Sequence, residues 1–135
     1  MASNMVIQNM SFRVGQSLAI VGNIKPHAVN FSVNVGHNSQ SIALHLNPRF
    51  NAFGDTNAIV CNSYQQGKWQ QEVRPGGFCF FRGENFKLII KLTSMGFVVT
   101  LPNGCQISFP NRLGSGKYNY FSFNGDVRIK SFEIY

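Results

Sequence analysis

Phe97-Val98-Val99-Thr100-Leu101-Pro102-Asn103-Gly104-Cys105-Gln106-Ile107-Ser108-Phe109 is the stretch that decides the fold class. Phe97, Val99 and Leu101 recur at every second residue, and Cys105, Ile107 and Phe109 do so again after Pro102-Asn103-Gly104. Side chains of an extended strand alternate between its two faces, so each run presents one apolar face. An Asn-Gly pair between two such runs signals a hairpin, because both residue types tolerate the positive φ of a tight turn. The same period sets Phe31, Val33 and Val35 against Asn30, Ser32 and Asn34, and Phe86, Leu88, Ile90 and Leu92 against Lys87, Ile89 and Lys91. Gly76-Gly77, Gly83, Gly114-Ser115-Gly116 and Asn124-Gly125-Asp126 punctuate the remainder. No window carries a long helix-period apolar stripe. About ten short strands with regular turn signals predict an all-β protein, a two-sheet antiparallel β-sandwich.

The chain has 135 residues, a length that predicts one domain over 1–135 with a full core. Thirteen phenylalanines and only 13% charged residues describe a compact β-rich composition and not a disordered tail. Linkers, internal repeats and low-complexity segments are absent from the sequence. No apolar run reaches the roughly 20 residues that span a bilayer, so membrane insertion is not expected. Met1-Ala2-Ser3-Asn4-Met5-Val6-Ile7 lacks a basic leader and a long apolar stretch, so no secretory signal is expected. Cys61, Cys79 and Cys105 are odd in number and widely spaced, which predicts free thiols and neither a disulfide framework nor a metal set. Cys61 and Cys105 lie in apolar strand patterns and are expected to be buried small hydrophobes. These features point to synthesis in a reducing cytosol. The net charge of +7 comes from scattered lysines and arginines with no block of like charge, so no dedicated nucleic-acid site is expected. The excess can still draw the protein towards anionic surfaces.

A second alternating run, Ala43-Leu44-His45-Leu46-Asn47-Pro48-Arg49-Phe50, puts His45, Asn47 and Arg49 on one face and Leu44, Leu46 and Phe50 on the other. On its own this is also the pattern of an ordinary half-solvated strand. Ten residues on, Val60-Cys61-Asn62 adds an amide, and Trp69-Gln70-Gln71-Glu72-Val73-Arg74 adds the only tryptophan, one of five carboxylates and another guanidinium. Trp69 sits among Lys68, Gln70, Gln71 and Glu72, an environment too polar for a core strand, so its ring is expected at the surface.

His-x-Asn-Pro-Arg, Val-x-Asn and Trp-x-x-Glu-x-Arg, in this order and spacing, resemble the carbohydrate-recognition signature of the galectins, the β-galactoside-binding lectins. The resemblance covers nearly the whole chain. Phe12 to Asn34 is similar to the family's opening strands, Phe109-Pro110-Asn111-Arg112 to its late motif, and Asp126 to Tyr135 to its closing strand. It implies a jelly-roll sandwich in which the strands carrying His45, Asn62 and Glu72 are neighbours on one sheet, an order that periodicity cannot supply.

The resemblance also implies a chemistry. The axial O4 of galactose leaves one face of C–H groups unobstructed, and Trp69 would lie flat beneath it. His45, Asn47 and Arg49 would converge on O4, and Asn62 and Glu72 on the exocyclic O6, with Val60 packing beside the sugar. Glu72, flanked by Arg49 and Arg74, would form a charge-assisted network that also touches the next sugar of lactose or N-acetyllactosamine, and Asp55 would orient the arginines. Phe53 departs from the pattern, standing where many single-domain galectins resemble one another in carrying histidine; it exchanges a polar contact for an aromatic surface. Asn30 and Ser32 would face an extended groove.

No cofactor and no metal are expected, because His27 and His37 fall in expected loops without ligand spacing to His45. An enzyme reading would make Asp55 and Glu72 glycosidase carboxylates, but neighbouring arginines hold such groups ionised where a general acid needs a raised pKa. A nucleic-acid-binding β domain would stack bases on aromatics, yet most phenylalanines fit core parity. A structural or storage purpose for the binding is a third reading. The expected partners are galactose-containing glycans on glycoproteins or glycolipids. A homodimer is expected through Met5, Val6, Ile7 and the closing Ile129 to Tyr135, against the plainer reading that each end packs within its own domain. Two outward sites would crosslink glycoconjugates. The resemblance further implies a cytoplasmic protein exported by a non-classical route.

Overall fold

In the computed structural model, which describes residues 3–135, the diagnostic stretch is a hairpin of β8 (Gly96–Thr100) and β9 (Gln106–Phe109). Its turn is longer than a bare Asn-Gly link. Leu101 and Cys105 close the ladder, Gly104 N–H donates back to the Leu101 carbonyl, and Gly104 takes the left-handed conformation at φ +86°. Pro102 and Asn103 thus form the middle of the turn and Gly104 supplies the bulge, a common three-residue hairpin loop. The outcome strips Cys105 of its expected role: it is exposed in the turn, while Cys61 is buried as expected and Cys79 is half-buried.

Nine further strands complete the fold: β1 (Ser3–Arg13), β2 (Ser17–Ile24), β3 (Phe31–Asn38), β4 (Ser41–Ala52), β5 (Asp55–Gln65), β6 (Lys68–Trp69), β7 (Asn85–Thr93), β10 (Lys117–Gly125) and β11 (Val127–Ile134). They form a six-stranded sheet in the order β1-β10-β3-β4-β5-β6 and a five-stranded sheet in the order β11-β2-β7-β8-β9, all pairs antiparallel. The chain changes sheet repeatedly, giving the jelly-roll sandwich. His37 lies at the end of β3, not in a loop, and packs on the Tyr118 ring.

The alternation seen in the sequence fills the space between the sheets. Phe31, Val33, Val35, Leu44 and Leu46 from one sheet meet Leu18, Ile20, Leu88, Ile90 and Val99 from the other, all fully buried. Each such side chain contributes about 1.5–3 kcal/mol through burial. Phenylalanines stitch the layers: Phe31 stacks on Phe86 at 5.3 Å and meets the edge of Phe80 at 5.5 Å, and Phe121 meets Phe132 at 5.0 Å. The segment between β6 and β7 crosses from sheet to sheet without regular structure. It is pinned by paired Cys61–Val73 backbone hydrogen bonds of 2.8 Å and by Phe78 and Phe80 in the core. Both edges at one end of the sandwich are terminal strands. β1 leaves Met5, Val6 and Met10 exposed, and the left-handed Asn9 (φ +66°) interrupts its pairing with β10.

Candidate functional site

The outer face of the six-stranded sheet carries a cleft of about 550 Å³ over β3, β4, β5 and β6. Asn30, Ser32, His45, Asn47, Arg49, Phe53, Val60, Asn62, Trp69, Gln70 and Glu72 line it. Register explains the convergence: His45 pairs with Asn62 across β4 and β5, and Asn47 pairs with Val60, so the polar face of one strand abuts that of the next. Arg74 and Asp55 stand behind the lining and act on it through Arg49 and Glu72. Lys68 is exposed at the edge and does not line the cleft.

Two tight turns shape the rim. Gln66 (φ +54°) and Gly67 (φ +75°) form a two-residue loop of the primed type, which matches strand twist and folds β6 back onto β5. Trp69 is thereby held against Tyr64, at 4.9 Å between ring centres, and His45, at 4.5 Å. Half its surface (51%) remains open. Phe53 (φ +53°) and Gly54 (φ +81°) make the same kind of turn between β4 and β5. A bulky residue in the left-handed region is uncommon and costs energy. Here Phe53 is 76% exposed at the lip of the cleft, with the Arg49 guanidinium 4.7 Å from its ring centre.

The polar groups are committed to one another before any ligand is present. Asn47 donates from Nδ2 to the Phe31 carbonyl at 2.7 Å and to Asn30 Oδ1 at 3.1 Å, while its Oδ1 accepts from Arg49 Nε at 2.9 Å. Both amide hydrogens are thus used, and what Asn47 still offers is an acceptor lone pair. Asn62 is the reverse. Its Oδ1 accepts from Ser63 N–H and from Arg112 Nη1, and Nδ2 donates to the Gln70 carbonyl, leaving one N–H to offer.

The charge network centres on Asp55 and not on Glu72. Asp55 binds Arg49 at 2.7 Å and Arg74 at 2.8 Å; Glu72 binds Arg74 at 2.9 Å but lies 3.9 Å from Arg49. Hydrogen bonds from Arg74 and then Arg49 hold the Asp55 carboxyl below the usual carboxylate range, and Asp55 and Glu72 raise the pKa of Arg74. The His45 imidazole is pushed down to about 4 by burial, with the nearby Arg49 charge adding to the effect. A carboxyl held ionised, as at Asp55, does not suit general-acid catalysis. Among the described residues no group of three His, Cys, Asp or Glu side chains is placed to hold a metal ion, and no helix is long and apolar enough to cross a membrane.

Two contributors were not singled out from sequence. Asn34, buried on β3, lies 2.6 Å from His45 Nδ1 through its Oδ1. Its parity with Ser32 and Asn30 was the available signal. Arg112 donates to Asn62, to Ser63 Oγ at 3.1 Å and to the Gln71 carbonyl at 2.8 Å, and rests on the Phe109 ring. It bolts the Gln70–Glu72 segment to β5, and only its place in the late motif hinted at it.

A sequence profile of the galactoside-binding lectin family matches residues 3–134. A β-galactoside-binding lectin of Electrophorus electricus is 44% identical over 132 residues, covering 98% of each chain. Among solved structures, Dario rerio galectin-1-L2 superposes with a TM-score of 0.95 at 51% identity, covering 97% of this chain and 99% of the other. CG-16, a homodimeric agglutinin from chicken liver, does so at 0.94 with 34% identity, covering 98% of this chain and all of the other.

Proposed function

As the chain belongs to the galectin family of galactoside-binding lectins, carbohydrate-binding proteins and not enzymes, we propose that its cleft binds the galactose of lactose- and N-acetyllactosamine-type glycans. The observation that carries this reading is the convergence of His45, Asn47, Arg49, Asn62, Trp69 and Glu72 on one cleft. Trp69 supplies a flat, half-open ring for the C–H face of the sugar. Arg49 donates to the axial O4, and His45 and Asn47 complete its surroundings. Asn62 gives its remaining N–H to O6, and Glu72 accepts the O6 proton. Recognition uses side chains alone and needs no metal.

Discrimination follows from direction. A glucose O4 is equatorial and leaves the His45, Asn47 and Arg49 groups unmatched, which costs the bonds they would have made. Beyond galactose, Arg49, Glu72 and Arg74 lie on the side of the second sugar, and Phe53 offers an aromatic lip there. Asn30 and Ser32 extend the cleft in the other part of the face.

The reading extends to assembly. The exposed Met5 and Val6 on the β1 edge, beside the β11 edge of the opposite sheet, suit a two-fold dimer formed by strand addition. Two clefts on one dimer would crosslink glycoconjugates by multivalency. Cytoplasmic residence followed by non-classical export belongs to the same proposal and is tested by fractionating cells and medium.

Competition for an immobilised β-galactoside by lactose and by maltose, each with and without EDTA, tests the core proposal. Elution by lactose alone, unaffected by EDTA, is expected; equal elution by both sugars overturns it. Sedimentation over a range of protein concentrations reads the dimer.

A further inference from the structure

The cleft is electrically balanced, because Arg49 and Arg74 are matched there by Asp55 and Glu72. The +7 charge of the chain therefore lies outside it. Part of that charge gathers in a second cavity of about 490 Å³, lined by Asn23, Lys25, Pro26, His27, Asp126 and Arg128. This notch sits at one end of the five-stranded sheet, where the β2–β3 connection meets the turn from β10 to β11. We propose that the notch is a second binding site, for the sulfate or phosphate group of a monoester, with Arg128 as its principal anion-binding residue. The proposal goes beyond galactoside binding and stands whether or not the cleft takes galactose.

The walls of the notch are set by backbone pairing. Arg128 opposes Asn23 across β11 and β2, and Asn23 opposes Asn85 on β7. Asn23 spends its amide hydrogens on Asn85 Oδ1 at 2.9 Å and on the Gly83 carbonyl at 3.3 Å, so this wall is fixed. Asp126 fixes the other. Its carbonyl accepts from Lys25 N–H at 3.1 Å, and its own N–H donates to the Asn30 carbonyl at 3.0 Å. Its Oδ2 accepts from the N–H groups of Val29 at 2.9 Å and Asn30 at 3.5 Å. The one carboxylate of the lining is thus engaged by loop amides.

Arg128 is the opposite case. Arg49, Arg74, Arg82 and Arg112 each donate to a carboxylate or carbonyl oxygen. The exposed guanidinium of Arg128 has no hydrogen bond or ion pair among the described residues. A guanidinium presents a planar fork of donors that matches two oxygens of an anion. Half-buried Lys25 brings a second positive charge, and His27 on the connecting loop brings a ring N–H. Two cations against one engaged carboxylate leave the notch positive. Its donors come from three separate points of the chain. A tetrahedral anion offers three outward oxygens to such a set, where a planar carboxylate offers two. The cavity is roomier than a bare ion requires, and Pro26 adds apolar surface, so an ester carrying a sugar-sized group fits it.

Backbone-amide NMR of the full chain, at constant ionic strength set with chloride, reads the site. Glucose 6-sulfate and glucose 6-phosphate are the probes, because their equatorial O4 keeps them out of the galactose position; inorganic sulfate and acetate are the comparators. Saturable shifts at Asn23, Lys25, His27, Asp126 and Arg128 are expected with one ester or both, and the tighter ester identifies the source. A protein that binds neither overturns the proposal. Saturating lactose should leave these shifts in place, whereas displacement by lactose would put the anion in the cleft and overturn the assignment.

Arg128→Ala should weaken ester binding at least about tenfold through lost charge-assisted hydrogen bonds. Lys91→Ala removes the same charge from β7 outside the notch and should change affinity less than about twofold, because exposed charges are screened. Equal losses in the two variants would mean general attraction to a basic surface and overturn the site, as would acetate binding as tightly as sulfate. Arg128 is exposed, so R128A should keep the unfolding midpoint of the wild type. Ester binding in the notch of a protein that ignores lactose would refute the galactoside reading and leave this site standing.

Discussion

The side-chain amide of Asn47 donates at 2.7 Å to the backbone carbonyl of Phe31, the carbonyl that stands opposite Pro48. Val33 pairs with Leu46 and Asn30 bridges Arg49, which sets Phe31 against Pro48 on the same ladder. Proline has no N–H to give, and a proline inside a sheet normally leaves a ladder bond unmade. Here the neighbouring side chain replaces the missing donor, and the same bond fixes Asn47 in the cleft. A structural repair and a recognition group are therefore one residue.

Asn47→Ala should cost about 1–3 kcal/mol of stability, because it leaves the buried Phe31 carbonyl without a partner. In a Pro48→Ala background the cost should shrink, since residue 48 then offers its own N–H. Urea unfolding of the double-mutant cycle measures this, and strictly additive effects would contradict the repair.

Trp69 is the only tryptophan, so its fluorescence reports the cleft without interference. Lactose should shift its emission towards the blue, and maltose should not. Trp69→Ala should weaken lactose binding by about 1.5–3 kcal/mol through lost apolar contact, with little change in unfolding midpoint because the ring is half exposed.

Phe53 occupies a left-handed turn position that asparagine fills more readily. Phe53→Asn should raise stability by about 1 kcal/mol while removing the aromatic lip. Affinity for lactose should change little, whereas the ranking of longer glycans on an array should change. An unchanged ranking would remove Phe53 from recognition.

The native pKa of His45, about 4, lies below its unfolded value of 6.5. Between those values the unfolded chain binds a proton that the native protein does not. This contribution is complete above pH 6.5 and is lost as pH falls towards and through 4, by about 3 kcal/mol in total. Asp55, also depressed, acts in the same direction but in a lower window, below its ordinary value of 3.8. Chemical unfolding from pH 7 to 4 should show the loss in wild type and a flatter profile in His45→Gln.

The thiols should separate by reactivity. Burial pushes Cys61 up to about 12, and it also raises Cys79, whereas Cys105 is exposed in the β8–β9 turn. Alkylation near pH 8 should label Cys105 first and Cys61 only on unfolding. Lactose should not protect Cys105, which lies on the opposite sheet from the cleft. Fast labelling of Cys61 would contradict the buried core.

Period-two alternation is a local property, and it suffices for the strands, the sandwich and the inward set of Phe31, Val33, Leu44, Leu46, Leu88 and Ile90. It failed at Cys105 because parity continues through a turn on paper, while the three-residue loop turns that side chain to solvent. The motif residues were legible because Trp69, Glu72 and Arg74 follow in one short run. Asn34 and Arg112 were not, because their partners are distant in the chain: Arg112 meets Asn62 fifty residues away, and Asn34 meets Ser122 eighty-eight away.

By itself, then, the order of residues determined which side chains share a face and which turn types separate the strands, since both depend on neighbours two to four positions apart. Only the tertiary structure decided which strands lie side by side, and with that which polar groups become partners. Asp55 as the hub of the arginines, the filled donors of Asn47 and the amide facing His45 all follow from inter-strand register. Register depends on closing loops over the whole chain, and the energy for that comes from burying two sheets against each other.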